Sequence, residues 1–443
     1  MSVATTLATT FDFNPPSAAT WFYFALLLSV ALFFKFSRLL SIRNLDVFTL
    51  PLLVPGLLLL RESHGDDRLG YLWLLCGSAY LLFRCFLDLS LVTRPALNPN
   101  LSLGGLAWLA GALFVGLIAV AARQPKEEKL VQSDKTPTAI SQVEKPIERV
   151  VENTAPARAT GLDVQLWVAR GLALLCHLAV GLGLIFVGGR HFQDWQAGVA
   201  SATYYLLLPY AFLLLPYTVL DVAQWYHIWP MALIVWAVFA YRIPTLSGAL
   251  LGLAAACYFP ILLFPIWLSF YWGRGAGRFA AAFGLTCGLC MGFIVWTWWI
   301  GGELVHSVQS MLSLPDWQPW LEPVRGTLGL WQDMHWAYRI PLFIAYVAML
   351  GISTLWPSPK NLAHVLALSA ATILGVQFWY ADQGGTYVLW YLPLLLLLMF
   401  RPNLADRRPL PIQRETDWLS RLARWLSRKF LRLARGPEPL IRV

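Results

Sequence analysis

The stretch GALLGLAAACYFPILLFP, residues Gly248–Pro265, is apolar enough to lie in a membrane, yet basic residues flank it at both ends. Arg242 precedes it, and Arg274 and Arg278 follow it. Because short basic loops stay on the cytoplasmic side of a membrane, both flanks are predicted to face the cytoplasm. A segment that begins and ends on one side must cross the membrane an even number of times.

The apolar segment around this stretch, residues 245–272, is too long for one span and too short for two. Its 28 residues would form a helix of about 42 Å, whereas the hydrocarbon core of a bilayer is about 30 Å thick. Pro260 removes a backbone donor and disfavours helix in the preceding residue. We therefore predict one short broken hairpin near 245–272, with its turn buried in protein. Gly248 and Gly252, four residues apart, would let a neighbouring helix approach closely.

The whole chain has the composition of a membrane protein. Of its 443 residues, 58% are hydrophobic and 13% are charged, whereas soluble domains carry about 25% charged residues. Apolar runs of about 20 residues recur along most of the sequence, which is the length that spans a bilayer. The predicted fold class is an all-α, polytopic transmembrane helical bundle with about 12 or 13 spans. The first residues lack the basic region of a cleavable signal peptide.

Changes in composition divide the chain into four parts. Residues 1–122 are predicted to form an N-terminal four-span membrane module. Residues 123–163 contain seven basic and seven acidic residues and few aromatic ones, which predicts a disordered polar linker. A larger membrane domain follows at 164–400, including a predicted outward loop at 301–339. Residues 401–443 form a basic tail.

Most of the formal net charge of +9 belongs to that tail, which has eleven basic and four acidic residues. In DWLSRLARWLSRKFLRLAR, apolar residues such as Trp418 and Trp425 lie near one helical face and basic residues surround them. This pattern predicts a cytoplasmic amphipathic helix on an anionic membrane surface, with membrane lipids as partners and no nucleic acid. A solvated tail is the alternative. The positions of the basic loops predict an outward N-terminus and a cytoplasmic C-terminus.

One predicted helix start carries three polar side chains at spacings of three. The string LDVAQWYHIW contains Asp221, Gln224 and His227, which would share one helical face. These groups would hold a sugar or a phosphate at the outer interface. Alternatively, they cap the helix and lie within an aromatic belt. The residues alone leave both interpretations open.

The predicted outward loops contain the other candidate polar residues. In RESHGDDRLG, Asp66 and Asp67 would supply a general base, or they belong to a solvated loop. In the 301–339 loop, three cationic or titratable side chains would contact a phosphate: Arg325, His335 and Arg339. The same loop has several tryptophans that would stack on a sugar or lie at the membrane interface: Trp317, Trp320, Trp331 and Trp336.

A metal and a buried ion pair complete the set of candidates. Asp333 and His335 would contact a divalent metal, although two ligands define no site by themselves. Arg84 and Asp88, four residues apart in LLFRCFLDLS, can pair on one helical face. Ionisable groups inside a membrane are costly and often functional, but a neutralised structural pair is the favoured interpretation of these two.

Two strings resemble a known class of enzymes. GGRHFQDWQAGVASATYYLLLPY and DVAQWYHIWPMALIVWAVFAYRIPTLSGALLGLAAACYFPILLFP are similar in order to segments of the GT-C class of integral-membrane glycosyltransferases. The nearest likeness is to the bacterial polyprenyl-phosphate-dependent mannosyltransferase-like family. The resemblance covers residues of about 165–400 and does not include the N-terminal module. Tyr258 stands where that family often has Lys.

The resemblance implies an inverting transfer of a hexose from a polyprenyl-phosphate sugar to an acceptor on the outer face of the cell inner membrane. A carboxylate would deprotonate the acceptor, and cations or a divalent metal would stabilise the departing phosphate. Members of the class place an acidic residue in the first outward loop. Asp66 and Asp67 are the candidates here, with Asp221 as a third.

Two other functions are compatible with the same architecture. A non-catalytic membrane protein would keep the bundle to bind a lipid carrier or to assist assembly. A secondary transporter would show paired interrupted helices in two related halves, whereas this sequence has one interrupted segment.

Overall fold

The computed structural model describes residues 17–62, 67–91, 93–122, 164–211, 225–255, 259–301, 318–322, 329–332, 334–403, 410–412 and 425. All regular secondary structure in these ranges is helical, so the all-α class is confirmed. The predicted linker at 123–163 and most of the predicted tail helix lie outside the described residues.

The described residues contain fourteen α-helices, several of them started by polar side chains or by proline. Ser17, Asp194 and Asn361 each accept a hydrogen bond from a backbone amide in the first turn of the helix that follows. The helices are α1 Ala18–Phe33, α2 Ile42–Thr49, α3 Val54–Glu62, α4 Arg68–Ser90, α5 Leu103–Ala122, α6 Val164–His191, α7 Trp195–Leu207, α8 Trp225–Phe239, α9 Pro244–Ala254, α10 Phe264–Phe270, α11 Ala276–Gly301, α12 Arg339–Leu355, α13 Leu362–Val376 and α14 Leu392–Phe400.

Within the ranges given above, six helical segments are long and apolar enough to cross a membrane, judged by length and composition. Five shorter apolar helices accompany them. This pattern is that of a multi-pass membrane protein. The six segments are Ile42–Glu62, Arg68–Ser90, Leu103–Ala121, Trp167–His191, Ala276–Trp296 and Trp336–Leu355.

The bundle has two ends, the Asp88 end and the His227 end. At the Asp88 end, Arg401 follows α14 and binds Asp88 near the end of α4. At the His227 end, α8 begins, and His227 contacts the segment that leads into α14. Arg339 at the start of α12 donates to the carbonyl of Trp379, just after α13. The chain therefore passes repeatedly between the two ends.

Helices α9 and α11 pack with their backbones close together. A Cβ atom on Gly248 would lie 2.4 Å from the carbonyl oxygen of Phe279, and one on Gly252 would lie 2.4 Å from that of Phe283. Both contacts advance by four residues in the same direction, so the two helices run parallel. The prediction that this glycine pair admits a neighbouring helix is confirmed.

Parallel helices require the chain between them to return to the end where the first helix began. After α9, a 3₁₀ turn at Phe259–Leu263 leads into α10. The hydroxyl of Tyr271, just after α10, then donates to the carbonyl of Tyr241, just before α9, at 2.7 Å. The segment thus begins and ends at the side of the bundle opposite His227. Residues 256–258, between α9 and the 3₁₀ turn, lie outside the described residues.

Helices from the first 122 residues pack directly against later ones. Helix α4 lies along α13, and α5 lies along α7. One hydrophobic core contains side chains from both parts of the chain, for example Leu74 and Leu366. Helices α11 and α12 instead expose large apolar side chains such as Leu285, Leu289 and Ile352, as expected of surfaces that face lipid.

Candidate functional site

His227 lies in the first turn of α8 inside a group of aromatic rings. Its Nδ1 accepts a hydrogen bond from the indole Nε1–H of Trp390 at 3.2 Å. Its ring centroid lies 4.6 Å from that of Tyr226 and 5.6 Å from that of Tyr387. The imidazole is half-buried. Of the three polar residues predicted to share this helix start, Asp221 and Gln224 lie outside the described residues.

Trp390 is fixed between two other rings. The ring of Phe259, from the 3₁₀ turn before α10, stacks on it at 4.2 Å and 11°. The ring of Tyr387 stacks on its other face at 4.2 Å and 16°. Stacked aromatic pairs contribute about 0.5–1.5 kcal/mol beyond the area they bury. We call His227, Trp390, Tyr387 and Phe259 the His227 cluster.

Several sequence-distant segments meet near this cluster. A Cβ atom on Gly329 would lie 3.1 Å from the carbonyl oxygen of Ala381, so part of the predicted outward loop packs on the turn between α13 and α14. A Cβ atom on Gly385 in the same turn would lie 3.0 Å from Leu74 of α4. Asp67 precedes α4, about 10 Å along the helix axis from Leu74. The Asp67 end of α4, the loop and the His227 cluster thus share one end of the bundle.

Arg339 is fully buried at this end. Its Nε donates to the carbonyl of Trp379 at 2.9 Å, and its Nη1 lies 3.4 Å from the carbonyl of Leu321. These contacts join the start of α12 to the turn after α13 and to the 318–322 segment. The guanidinium that was predicted to meet a phosphate therefore binds backbone carbonyls.

His335 lies at the surface, four residues before Arg339. Its Nδ1 accepts a hydrogen bond from the amide of Ala337 at 3.3 Å and so caps the short 3₁₀ helix Trp336–Tyr338. Its ring contacts that of Trp336 at 5.2 Å. Among the residues that the structure describes, no group of three or more His, Cys, Asp or Glu side chains could hold a metal. The remaining predicted site residues, Asp66, Arg325 and Asp333, lie outside the described ranges.

A second group of polar residues lies at the opposite end of the bundle. Arg84 binds Asp46 through two parallel hydrogen bonds, Nε to Oδ1 at 2.8 Å and Nη2 to Oδ2 at 3.0 Å. The predicted pairing of Arg84 with Asp88 is confirmed at 3.1 Å. Asp88 also binds Nη2 of Arg401 at 2.7 Å and lies 3.3 Å from Nη1 of Arg94. We call these five residues the Asp88 network.

The Asp88 network is a buried charge cluster that joins both parts of the chain. Its side chains are at most 2% exposed, and three arginines face two aspartates. The excess positive charge lies beside helix C-termini, where carbonyls without helical partners carry negative partial charge. Arg401 donates to the carbonyl of Leu91, just after α4, at 3.1 Å, and Arg94 donates to the carbonyl of Leu398 in α14.

Other buried cations at this end bind helix C-termini in the same way. Arg43 donates to the carbonyl of Phe33, the last residue of α1, at 2.9 Å. Lys360 donates to the carbonyl of Thr354 in the last turn of α12, also at 2.9 Å. Burial lowers the pKa of the Lys360 ammonium. Cationic side chains that donate hydrogen bonds to backbone carbonyls therefore join the helices at this end of the bundle.

Two of the five network residues, Arg84 and Asp88, and one of the four cluster residues, His227, are predicted from the sequence. Asp46 lies in an apolar segment, so the rarity of ionisable groups in such segments is a signal that could have identified it. Arg94 and Arg401 follow helices and look like ordinary flanking basic residues. Trp390 is one of 22 tryptophans, and no sequence pattern distinguishes it.

Comparisons of this chain with protein-family models, with curated proteins and with solved structures find no match. The described residues form an aromatic cluster around a half-buried histidine at one end of the bundle and a buried network of ion pairs at the other.

Proposed function

We propose that this chain is a GT-C-like membrane glycosyltransferase that transfers a hexose from a polyprenyl-phosphate sugar to an acceptor on the outer face of the cell inner membrane. The main support is the meeting of distant segments at the His227 end. The start of α4 beside Asp67, the Gly329 segment of the predicted outward loop and the His227 cluster all lie there. An enzyme needs such convergence, because its base and its donor contacts come from different elements.

The proposed orientation puts the His227 end outside, with the N-terminus outward and the C-terminus cytoplasmic. The basic segments that predicted this orientation lie at the opposite end. Arg274 contacts the carbonyl of Lys360, and Arg242 contacts that of Pro411. Cations gathered at one end support a cytoplasmic location for that end. Residues 244–271 would then form a hairpin that enters and leaves the membrane on the cytoplasmic side.

The proposed chemistry assigns roles by residue type. Asp66, Asp67 or Asp221 would deprotonate the acceptor hydroxyl. His227 would contact the departing phosphate, and a divalent metal would assist if further ligands supply a site. Arg325, Gln224 and His335 stay candidates for contacts with the donor. Arg339 would support this surface through its backbone contacts.

The test is hexose transfer by purified protein from polyprenyl-phosphate sugars, measured with donor binding in the same samples. The variants are Asp66→Asn with Asp67→Asn together, and Asp221→Asn separately. Asp194→Asn is the matched control, because this residue caps α7 away from the His227 end and Asn caps helices equally well. Loss of transfer in one set, with binding retained, supports the proposal and identifies the base. Equal transfer by wild type and both sets contradicts the assignment of the base.

A non-catalytic lipid-carrier protein is the second candidate. One observation favours it: in the described part of the chain, the contacts of His227 are with aromatic side chains and include no carboxylate. This candidate predicts that wild-type protein binds the donor and transfers nothing. The same assay therefore separates the two functions.

A further inference from the structure

The hydrogen bond between Trp390 and His227 determines which imidazole nitrogen carries the proton. An indole Nε1–H can only donate. The Nδ1 atom of His227, 3.2 Å away, must therefore accept with its lone pair. In a neutral imidazole one nitrogen accepts and the other carries hydrogen, so the proton lies on Nε2.

Trp390 cannot readily turn away from this contact. It is 7% exposed, and the rings of Phe259 and Tyr387 cover its two faces at 4.2 Å each. Rotation of the indole would break both stacks. The tautomer of His227 is therefore maintained by a donor that is itself immobilised by packing.

Among the described residues, none forms a hydrogen bond with the opposite edge of the imidazole. Within the described residues, the hydrogen bond from Trp390 is the one that His227 makes, and its other contacts are with the faces of aromatic rings. The side chain is half-buried, and its Nε2 is not among the buried polar atoms that lack a partner. Nε2–H is therefore the donor of this side chain that the described residues leave for a ligand at the His227 end.

We infer that His227 is a fixed neutral hydrogen-bond donor that binds an anionic phosphate oxygen through Nε2–H, with Trp390 as its positioning residue. Hydrogen bonds to a charged acceptor are about twice as strong as neutral ones. A neutral donor supplies this bond without placing an uncompensated cation among apolar rings. The assignment of the phosphate to a polyprenyl-phosphate sugar rests on the proposed function. The tautomer and the role of Trp390 do not.

The first experiment measures the tautomer directly. Protein labelled with ¹⁵N-histidine is studied in lipid nanodiscs, and the signals that disappear in His227→Gln identify His227. We expect an unprotonated Nδ1 and a protonated Nε2. Trp390→Phe, which keeps a ring in the stack and removes the N–H, should shift population towards the Nδ1–H form. The control is Trp236→Phe, farther along α8, which removes an indole N–H that donates to the carbonyl of Ala179 in α6. It should leave the His227 signals unchanged.

A wild-type signal from the Nδ1–H form, or identical signals in wild type and Trp390→Phe, would overturn the inference. Neither result bears on hexose transfer, so failure of the inference and failure of the proposed function can be distinguished.

The second experiment tests the ligand with two probes, polyprenyl phosphate and inorganic phosphate. Hydrogen bonds to charged groups contribute about 1.5–3 kcal/mol, so His227→Leu should weaken polyprenyl phosphate binding roughly 10- to 100-fold. His227→Gln keeps an N–H donor and should lose less affinity.

Binding of the lipid probe but not of inorganic phosphate assigns the site to a lipid-linked phosphate, and competition by inorganic phosphate assigns it to phosphate in general. Equal affinity of wild type and His227→Leu overturns the ligand role alone. No binding of either probe by wild type overturns the ligand role and the proposed function together.

Discussion

Substitution of Asp88 by Asn should destabilise the whole bundle, because this carboxylate forms ion pairs with three arginines. Its Oδ1 lies 3.1 Å from Arg84 and 3.3 Å from Arg94, and its Oδ2 lies 2.7 Å from Arg401. The substitution preserves the shape of the side chain but removes one of two negative charges among three positive ones. Removing one partner of a buried ion pair costs about 3–5 kcal/mol, since the remaining charge is left without compensation.

The charges of the Asp88 network predict an asymmetry between its members. Asp88→Asn raises the net charge of the network from +1 to +2, whereas Arg401→Gln lowers it to zero. We therefore expect Arg401→Gln to cost less, about 1–3 kcal/mol, mainly from lost hydrogen bonds. The double variant returns the network to +1, so its cost should be smaller than the sum of the single costs.

The assay is unfolding of purified protein in mixed micelles, with the free energy of unfolding measured for wild type and for each variant. Asp194→Asn is the control and should lie within about 0.5 kcal/mol of wild type, since Asn and Asp cap helices equally well. A cost of Asp88→Asn no greater than that of the control would refute the reasoning. A larger cost for Arg401→Gln than for Asp88→Asn would refute the charge argument specifically.

Two further predictions concern helix packing and orientation. Gly252→Ala should destabilise the bundle by about 1–2 kcal/mol in the same unfolding assay, because its Cβ would lie 2.4 Å from the carbonyl oxygen of Phe283 and overpacking outweighs the gain in helix propensity. Gly284→Ala on the facing helix has nothing within 4 Å of the new atom and should be neutral or slightly stabilising; an equal loss for both would contradict the packing argument. For orientation, a cysteine introduced at exposed Glu62 should react with an impermeant thiol reagent in intact cells, and one at exposed Lys35 should react only after lysis. The reverse pattern would invert the proposed topology.

The sequence predicts those features of the fold that depend on composition and local spacing. High apolar content with few charges indicates membrane helices, because backbone polar groups in lipid must be satisfied within the segment. The pairing of Arg84 with Asp88 follows from a spacing of four residues on one helix. The close approach at Gly248 and Gly252 follows from the same spacing and from the small size of glycine.

Tertiary structure alone decided which distant residues bind Asp88 and His227. Arg401 reaches Asp88 across 313 residues, and Trp390 reaches His227 across 163. A flanking arginine and one tryptophan among many have no local feature that identifies such partners. The reason is physical: helical periodicity determines which face of a helix carries a residue, but the neighbour of that face depends on how separate helices pack. The sequence by itself therefore determined that this chain forms membrane helices, and tertiary packing decided that its polar groups gather at the two ends of the bundle.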